Sequence, residues 1–271
     1  MIKICTIDLD GTLFDKNKKI SNKNKEAIFL AKENGCRIVI ATGRPYHGVY
    51  PVLQELDLLS DQDYVICYNG AKVFNTKTQK LIFSSTILGS DIKIIYQIAQ
   101  RYKAYFHAFR KNEELITDVH NPYTDVEVKI NKIEDHIVDI NSINHLDEFL
   151  KCMIVGPAEL LDQIESQLND SIKNSYSIVR SAPIFLEFLN SNTHKGAALK
   201  ALASFLTISM KDTMAIGDAG NDLTMIKMAA IGVAMENSFP EIKKVARYVT
   251  TSNEASGVAQ ALNTYVNSKQ G

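Results

Sequence analysis

Long apolar runs, paired cysteines and a surplus of charge of either sign are all missing from this sequence. No stretch approaches the ~18 consecutive apolar residues that a membrane span requires. The opening residues Met1 to Asp8 are too short in apolar length, and too soon interrupted by aspartate, to be a signal peptide. Cys5, Cys36, Cys67 and Cys152 are scattered with no C-x-x-C pair. They are expected as small buried hydrophobes, not as a disulfide framework or metal site. The six histidines show no metal-ligand spacing. Lysine and arginine number 30 against 31 aspartates and glutamates, a formal net charge of -1. That balance offers no electrostatic case for nucleic acid or an anionic membrane as partner. Neither G-x-G-x-x-G after the first strand nor G-x-x-x-x-G-K-[ST] occurs, which sets aside a nucleotide-binding dehydrogenase. A cytoplasmic protein acting on something small is the expectation.

What is present is an ordinary globular composition: 271 residues, 45% hydrophobic and 23% charged, enough for one large domain or two unequal ones. The first part alternates strand and helix signals. Residues 2–7 form an apolar β-branched run ending in a Gly-Thr turn. Ser21 is placed to cap a helix with Ala27, Ile28, Leu30 and Ala31 on one face, and Gly35 sits where a helix ends. Residues 37–41 read as a buried strand, Pro45 as the opening of a helix, 64–67 as a third strand, and Asn69-Gly70 as a tight turn. The last part repeats the rhythm with a helix at 195–206, a strand at 213–216, a helix at 222–229 and a strand at 231–234. A Pro240-led helix and a helix at 255–266 follow. Strands separated by such helices imply a Rossmann-like parallel sheet with helices on both faces. The middle, 84–187, reads as an inserted α+β domain of antiparallel strands, leaving 1–83 and 188–271 as the α/β core.

Four motifs fall at strand ends or helix starts. In Asp8-Leu9-Asp10-Gly11-Thr12, a two-residue step along extended chain returns both carboxylates to one side. The point they address lies where open α/β sheets place ligands. Ala41-Thr42-Gly43-Arg44 offers a hydroxyl and free N–H groups suited to a phosphate oxygen. Lys195-Gly196, after Asn192-Thr193-His194, puts an ammonium at a helix start. Gly217-Asp218-Ala219-Gly220-Asn221-Asp222 adds two carboxylates and an amide in one loop, the oxygen-rich kind of cluster that binds Mg²⁺. Each alone is also explained by a capped turn or a solvated side chain; together they converge on one sheet edge.

This order of motifs resembles the haloacid dehalogenase superfamily, whose aspartate-nucleophile phosphatases share D-x-D-G-T, T-G-R, K-G and G-D-x-x-N-D. The insertion, with Val233-Ala234-Met235-Glu236-Asn237 after the acidic loop, resembles the Cof-like branch with type IIB caps. Two departures stand at the rim. Asn192-Thr193-His194 replaces a frequent glycine before the lysine, and Glu236 stands where glycine is common.

The resemblance implies roles. Asp8 is the nucleophile, forming an aspartyl-phosphate, and Asp10 is the general acid and base. Mg²⁺ is held by Asp8, the Asp10 backbone carbonyl and Asp218, with Asn221 or Asp222 in support. Leu9, Thr42, Gly43, Lys195 and Asn221 hold phosphoryl oxygens, supported by Arg44. His107, Arg110, Lys129, Arg180 and Glu187 are candidates in the insertion for touching the rest of the substrate, a small phosphorylated metabolite. Hydrolysis of a hexose phosphate or similar monoester is the favoured activity. A sugar phosphomutase, a phosphatase of pyridoxal phosphate or flavin mononucleotide, and a non-catalytic metabolite-binding regulator are the alternatives. A homo-oligomer is left open.

Overall fold

The protein, a computed structural model, is described over residues 1–268. It divides into two compact units. One comprises Met1–Thr42, Val49–Phe83 and the chain from His194 onward; the other comprises Gly43–Gly48 and Ser84–Thr193. The return crossing therefore falls at Thr193/His194, later than the expected 188. The physical reason is that residues Phe185–Asn190 form one unbroken strand of the second unit's sheet.

The chain begins with β1 (Ile4–Ile7), α1 (Asn22–Glu33), β2 (Arg37–Ala41), α2 (Tyr46–Glu55), β3 (Tyr64–Cys67), β4 (Lys72–Asn75) and β5 (Leu81–Ser84). The insertion opens with β6 (Ile87–Leu88), α3 (Gly89–Arg101), β7 (Tyr105–Arg110), β8 (Leu115–Thr117), α4 (Pro122–Asn131) and β9 (Asp135–Ile137). It closes with β10 (Glu148–Val155), α5 (Ala158–Gln167), α6 (Asp170–Ser175), β11 (Tyr176–Ala182) and β12 (Phe185–Asn190). The chain returns through α7 (Lys195–Phe205), β13 (Thr213–Gly217), α8 (Leu223–Met228), β14 (Ile231–Ala234), α9 (Pro240–Val245), β15 (Tyr248–Val249) and α10 (Gly257–Tyr265).

In the first unit the sheet order is β15-β14-β13-β1-β2-β3-β4-β5. The six strands from β15 to β3 are mutually parallel, and β4 pairs antiparallel with β3. Alternate residues of the central strands point to opposite faces, and both sets are buried. Ile4, Val39, Ala41 and Ala215 pack with Ala198, Leu199 and Leu202 of α7 and with Met225 and Ile226 of α8. Cys5, Ile7, Ile38, Ile40 and Ile216 are buried on the other face. That is why these strands read as continuous apolar runs. Ser21 does cap α1, its hydroxyl accepting from the Asn24 N–H at 3.2 Å. The buried face of α1 comprises Asn24, Ala27, Ile28 and Ala31, while Leu30 is exposed. Leu30 thus leaves the expected stripe, because its position lies too far around the helix from Ala27 and Ala31. The four cysteines are buried free thiols.

The first strand of the chain lies mid-sheet, with β2 on one side and β13 on the other. The order in which the strands are laid down reverses here, between β1 and β13, and it is beyond the carboxyl ends of strands at such a point that parallel sheets bind ligands.

The second unit is a seven-stranded sheet in the order β11-β12-β10-β7-β8-β9, with β6 pairing on β10. Most neighbours are antiparallel as expected, but β8 and β9 run parallel, joined through α4. One face packs Phe106, Ala108, Cys152, Ile154, Leu186 and Phe188 against α3 and α5. The alternate positions of the same strands mix buried apolar residues, among them Phe109, Met153 and Phe185, with buried polar ones. Lys151 and Glu187 are buried, and Lys151 reaches Glu187 at 3.1 Å and Glu127 of α4 at 3.6 Å. His107 is buried beside them and meets the Thr124 hydroxyl at 3.0 Å. Among the described residues no helix is long and apolar enough to cross a membrane.

Candidate active site

Asp8 is the first residue after β1, and its N–H still donates to the Ile216 carbonyl of β13 at 3.1 Å. Its carboxylate is 6% exposed and therefore requires partners. The Lys195 ammonium, fully buried at the start of α7, supplies one at 2.5 Å and holds Asp222 Oδ1 at 2.7 Å. Asp222 is itself fully buried, and its second oxygen accepts from the N–H groups of Asp218 at 3.0 Å and Ala219 at 3.1 Å. Asp222 thus folds the loop that carries Asp218. Asp218 Oδ1 accepts from the Thr12 hydroxyl at 2.6 Å, which ties that loop to the turn after Asp8. Three of the four motifs are tied together by these bonds.

The carboxylates of Asp8, Asp218 and Asp222 offer oxygens within 4.8 Å of one another. Burial, the Asp222 charge and the Asp218 charge push the Asp8 carboxyl up to about 8, with Lys195 pulling the other way. Burial likewise raises Asp218 to about 6; the Thr12 hydrogen bond opposes the rise and the Asp222 charge adds to it. Burial alone would lower the Lys195 ammonium, but Asp222 and Asp8 more than offset it and hold it above its ordinary value. Three carboxylates, two of them buried, are therefore crowded around the single Lys195 ammonium. An all-oxygen donor set with excess negative charge suits a hard divalent ion, so Mg²⁺ fits these residues. Gly11 makes the approach feasible. At φ +91 a Cβ there would stand 2.4 Å from Asp218 Oδ2.

Asp10 is placed differently. Its side chain is 42% exposed, and Oδ1 meets the Lys18 ammonium at 2.6 Å on the loop after Gly11. Leu9 is buried, and its carbonyl accepts from Phe14 at 2.9 Å and Thr12 at 3.3 Å, closing the turn. Thr42 is buried at the end of β2, its N–H bonded to the Ile66 carbonyl at 2.9 Å. Gly43 and Arg44 lie in the Gly43–Gly48 segment, which groups with the second unit. Asn221 donates to Asn69 Oδ1 at 3.0 Å.

The candidates in the insertion are engaged within their own unit. His107 has both ring nitrogens in contact, with Thr124 and with Met153 Sδ at 3.0 Å, and burial followed by the Lys151 charge lowers it to about 3. Glu187 is buried against Lys151. Arg110 pairs with Glu114 at 3.1 Å and Asp147 at 3.5 Å. Arg180 bonds the Ala158, Ala182 and Pro183 carbonyls and pairs with Asp162 at 3.1 Å. Lys129 is exposed in the last turn of α4. These partners give His107, Glu187, Arg110 and Arg180 a structural occupation.

Several contributing residues had no role assigned from the sequence, although Thr12 and Asn237 stand within its motifs. Thr12 positions Asp218. Asn237 Nδ2 donates to the Gly11 carbonyl at 2.8 Å and steadies the turn after the paired aspartates. His194, which replaces the frequent glycine region, caps α7: its Nδ1 accepts from the Ala197 N–H at 2.9 Å. Burial lowers its pKa, which keeps that nitrogen an acceptor. Asn69 was legible only as half of a turn.

Fold and site together define an α/β enzyme whose carboxylates gather at the switch point of a parallel sheet. The model of the haloacid dehalogenase-like hydrolase family matches residues 5–262. The chain is 36% identical over 272 residues to "Putative phosphatase YxeH" of Bacillus subtilis, covering 99% of this chain and 100% of that one. A solved haloacid dehalogenase-like hydrolase from Bacteroides thetaiotaomicron superposes with a TM-score of 0.83 at 31% identity, covering 97% of this chain and 99% of that one. A solved subclass IIB sugar phosphatase of the same superfamily superposes with a TM-score of 0.80 at 25% identity, covering 97% and 98%. The chain belongs to the haloacid dehalogenase-like hydrolases. Within that family it is a phosphatase.

Proposed function

We propose that this phosphatase hydrolyses a small phosphomonoester, a sugar phosphate or a similar metabolite, through an aspartyl-phosphate on Asp8. The observation that carries the reading is the buried Asp8 carboxylate held at 2.5 Å by the buried Lys195 ammonium. A carboxylate fixed at the end of a central strand, with its charge half-compensated, is oriented as a nucleophile at no further entropic cost. The similarity to a subclass IIB sugar phosphatase supports a sugar phosphate as the substrate.

The steps follow from the chain's own groups. An Asp8 oxygen attacks phosphorus while the bond from phosphorus to the ester oxygen breaks. Asp10 delivers a proton to the departing oxygen and becomes a carboxylate. Asp10 then takes a proton from water, whose oxygen attacks the same phosphorus and breaks its bond to Asp8. Inorganic phosphate leaves, Asp8 is again a carboxylate and Asp10 is again protonated. For this Asp10 leaves its pairing with Lys18, a solvated contact whose loss costs little. Lys195 neutralises a phosphoryl oxygen and Asp8 in turn, and Thr42 and the Leu9 and Gly43 N–H groups complete the oxygen contacts. Asp8, the Asp10 carbonyl and Asp218 would hold Mg²⁺, with Asp222 keeping the loop in place. Bound there, the ion supplies the positive charge that lets an anionic nucleophile approach an anionic phosphate. The inserted unit selects among phosphomonoesters, and Arg44 supports the phosphoryl contacts.

The test is turnover of p-nitrophenyl phosphate with Mg²⁺, followed by a panel of sugar phosphates compared by kcat/KM. Asp8→Asn should lower kcat by at least ~10⁴-fold, as expected for loss of a covalent nucleophile. An Asp8→Asn protein that releases phosphate at the wild-type rate would remove the covalent step.

A further inference from the structure

The turn between β3 and β4 runs through the left-handed backbone region. Tyr68, Asn69 and Gly70 all have positive φ, at 52, 54 and 103. Two consecutive non-glycine residues in this region cost about 1–2 kcal/mol each, although asparagine tolerates it better than most. Gly70 is pressed against the entry to α7, where a Cβ would stand 2.5 Å from the His194 carbonyl oxygen. The Asn69 N–H donates to the Thr42 carbonyl at 3.0 Å. Its side-chain oxygen accepts from Asn221 Nδ2 at 3.0 Å. One residue thereby joins the end of β2, the loop after β13 and, through its neighbour Gly70, the segment leading into Lys195.

The side chain is 2% exposed, and its own Nδ2 has no hydrogen-bond acceptor. Native proteins rarely leave a buried amide N–H₂ unpaired. Strain of this kind persists where the surroundings over-determine it, and it collects at working sites. The feature this turn enforces is the orientation of Asn221. With its N–H₂ given to Asn69, the end of the Asn221 amide left to act is its carbonyl oxygen, on the same loop as Asp218 and Asp222. Of the two roles expected for Asn221, that assignment favours support of the Mg²⁺ ligands over a contact to phosphate.

We propose that Asn69 is a positioning residue of the phosphatase site, turning the Asn221 carbonyl toward the carboxylates that hold the cation. The proposal rests on the reaction assigned above. It predicts that Asn69 and Asn221 act as one unit in cation binding, before any substrate is present. The probe is Mg²⁺ alone, titrated calorimetrically into the substrate-free full chain.

Asn69→Gly removes both ends of the amide while suiting the positive φ. It should weaken Mg²⁺ binding about tenfold, and Asn221→Ala made in the same protein should add less than about twofold more, since coupled sites are not additive. On p-nitrophenyl phosphate the loss should appear as a raised Mg²⁺ requirement, with kcat at saturating Mg²⁺ and the KM for the ester moving much less. Wild-type Mg²⁺ affinity in Asn69→Gly, or single effects that multiply, would overturn it. If Asn69→Gly fails to fold, Asn69→Ser is judged by the same criteria. Hydrolysis by wild type, and its loss in Asp8→Asn, tests the underlying reaction separately. A wild-type chain that turned over the ester without binding Mg²⁺ would overturn this proposal and leave the nucleophile standing.

Discussion

Lys195 shows how much of the site depends on a single buried charge. Its ammonium lies 2.5 Å from Asp8 and 2.7 Å from Asp222 and is fully buried. Removing one partner of a buried ion pair leaves the other charge uncompensated, at a cost of about 3–5 kcal/mol. Lys195→Ala should therefore lower the urea midpoint by a corresponding amount, and lower kcat/KM on p-nitrophenyl phosphate by more than ~100-fold. Lys195→Arg should not rescue it, because a planar guanidinium cannot take the place of a compact ammonium between two carboxylates in a packed site. Denaturation and steady-state rates of the two variants check both statements. Wild-type stability in Lys195→Ala would show that the triad is not coupled. In the sequence this lysine stood out only through its place among three other motifs. Its burial is a property of the α7 entry, which no residue type announces.

At the scale of elements, the turn after β1 sets the distance between the paired aspartates and the Asp218 loop. Gly11 at φ +91 has an Asp218 oxygen 2.4 Å from where a Cβ would lie. Gly11→Ala combines a strained backbone, about 1–2 kcal/mol, with an enforced retreat of Asp218. The expected result is a fold that survives with a melting temperature lowered by several degrees. Mg²⁺-dependent activity should fall by more than about tenfold in the same protein. Activity at the wild-type level with the same drop in melting temperature would mean that the glycine serves only the backbone.

The strands and helices of the first unit were largely legible, because β1, β2, β3, β13 and β14 are buried on both faces and read as short apolar runs between helix caps. The short strands β4, β5 and β15 were not, since pairing at or near a sheet edge needs little apolar sequence. α4 escaped for a different reason. Asp125-Val126-Glu127-Val128-Lys129-Ile130 alternates polar and apolar residues with a strand's period, yet it is helical. The Asn121 cap, Pro122 at the first turn, and polar contacts from Thr124 and Glu127 to His107 and Lys151 override the pattern. The same network explains why His107 and Glu187 looked like candidates for ligand contact. Polar residues on a strand suggest an open face, and here a helix covers that face.

For the whole molecule, the acidic cluster should make stability depend on pH and cation together. In the unfolded chain Asp8 and Asp218 titrate near the ordinary carboxylate value, whereas in the fold they sit at about 8 and about 6. Between those limits the folded state holds protons that the unfolded state has lost, so it is the raised-pKa case. Their contribution is complete at acid pH and is lost as pH climbs through about 6 and then about 8. Mg²⁺ held by the same oxygens would compete with those protons, so its affinity should rise over that window, and with it the stabilisation that binding gives the folded state. The gain in melting temperature from ~5 mM Mg²⁺ should be small near about pH 5.5 and several degrees near about pH 8. Taking the difference with and without the ion at each pH cancels every other titrating group that the ion does not touch. Asp218→Asn should flatten the profile, since it removes one titrating ligand while preserving shape. A Mg²⁺ gain that stays level or shrinks as pH rises would mean that the crowded carboxylates are not where the ion binds.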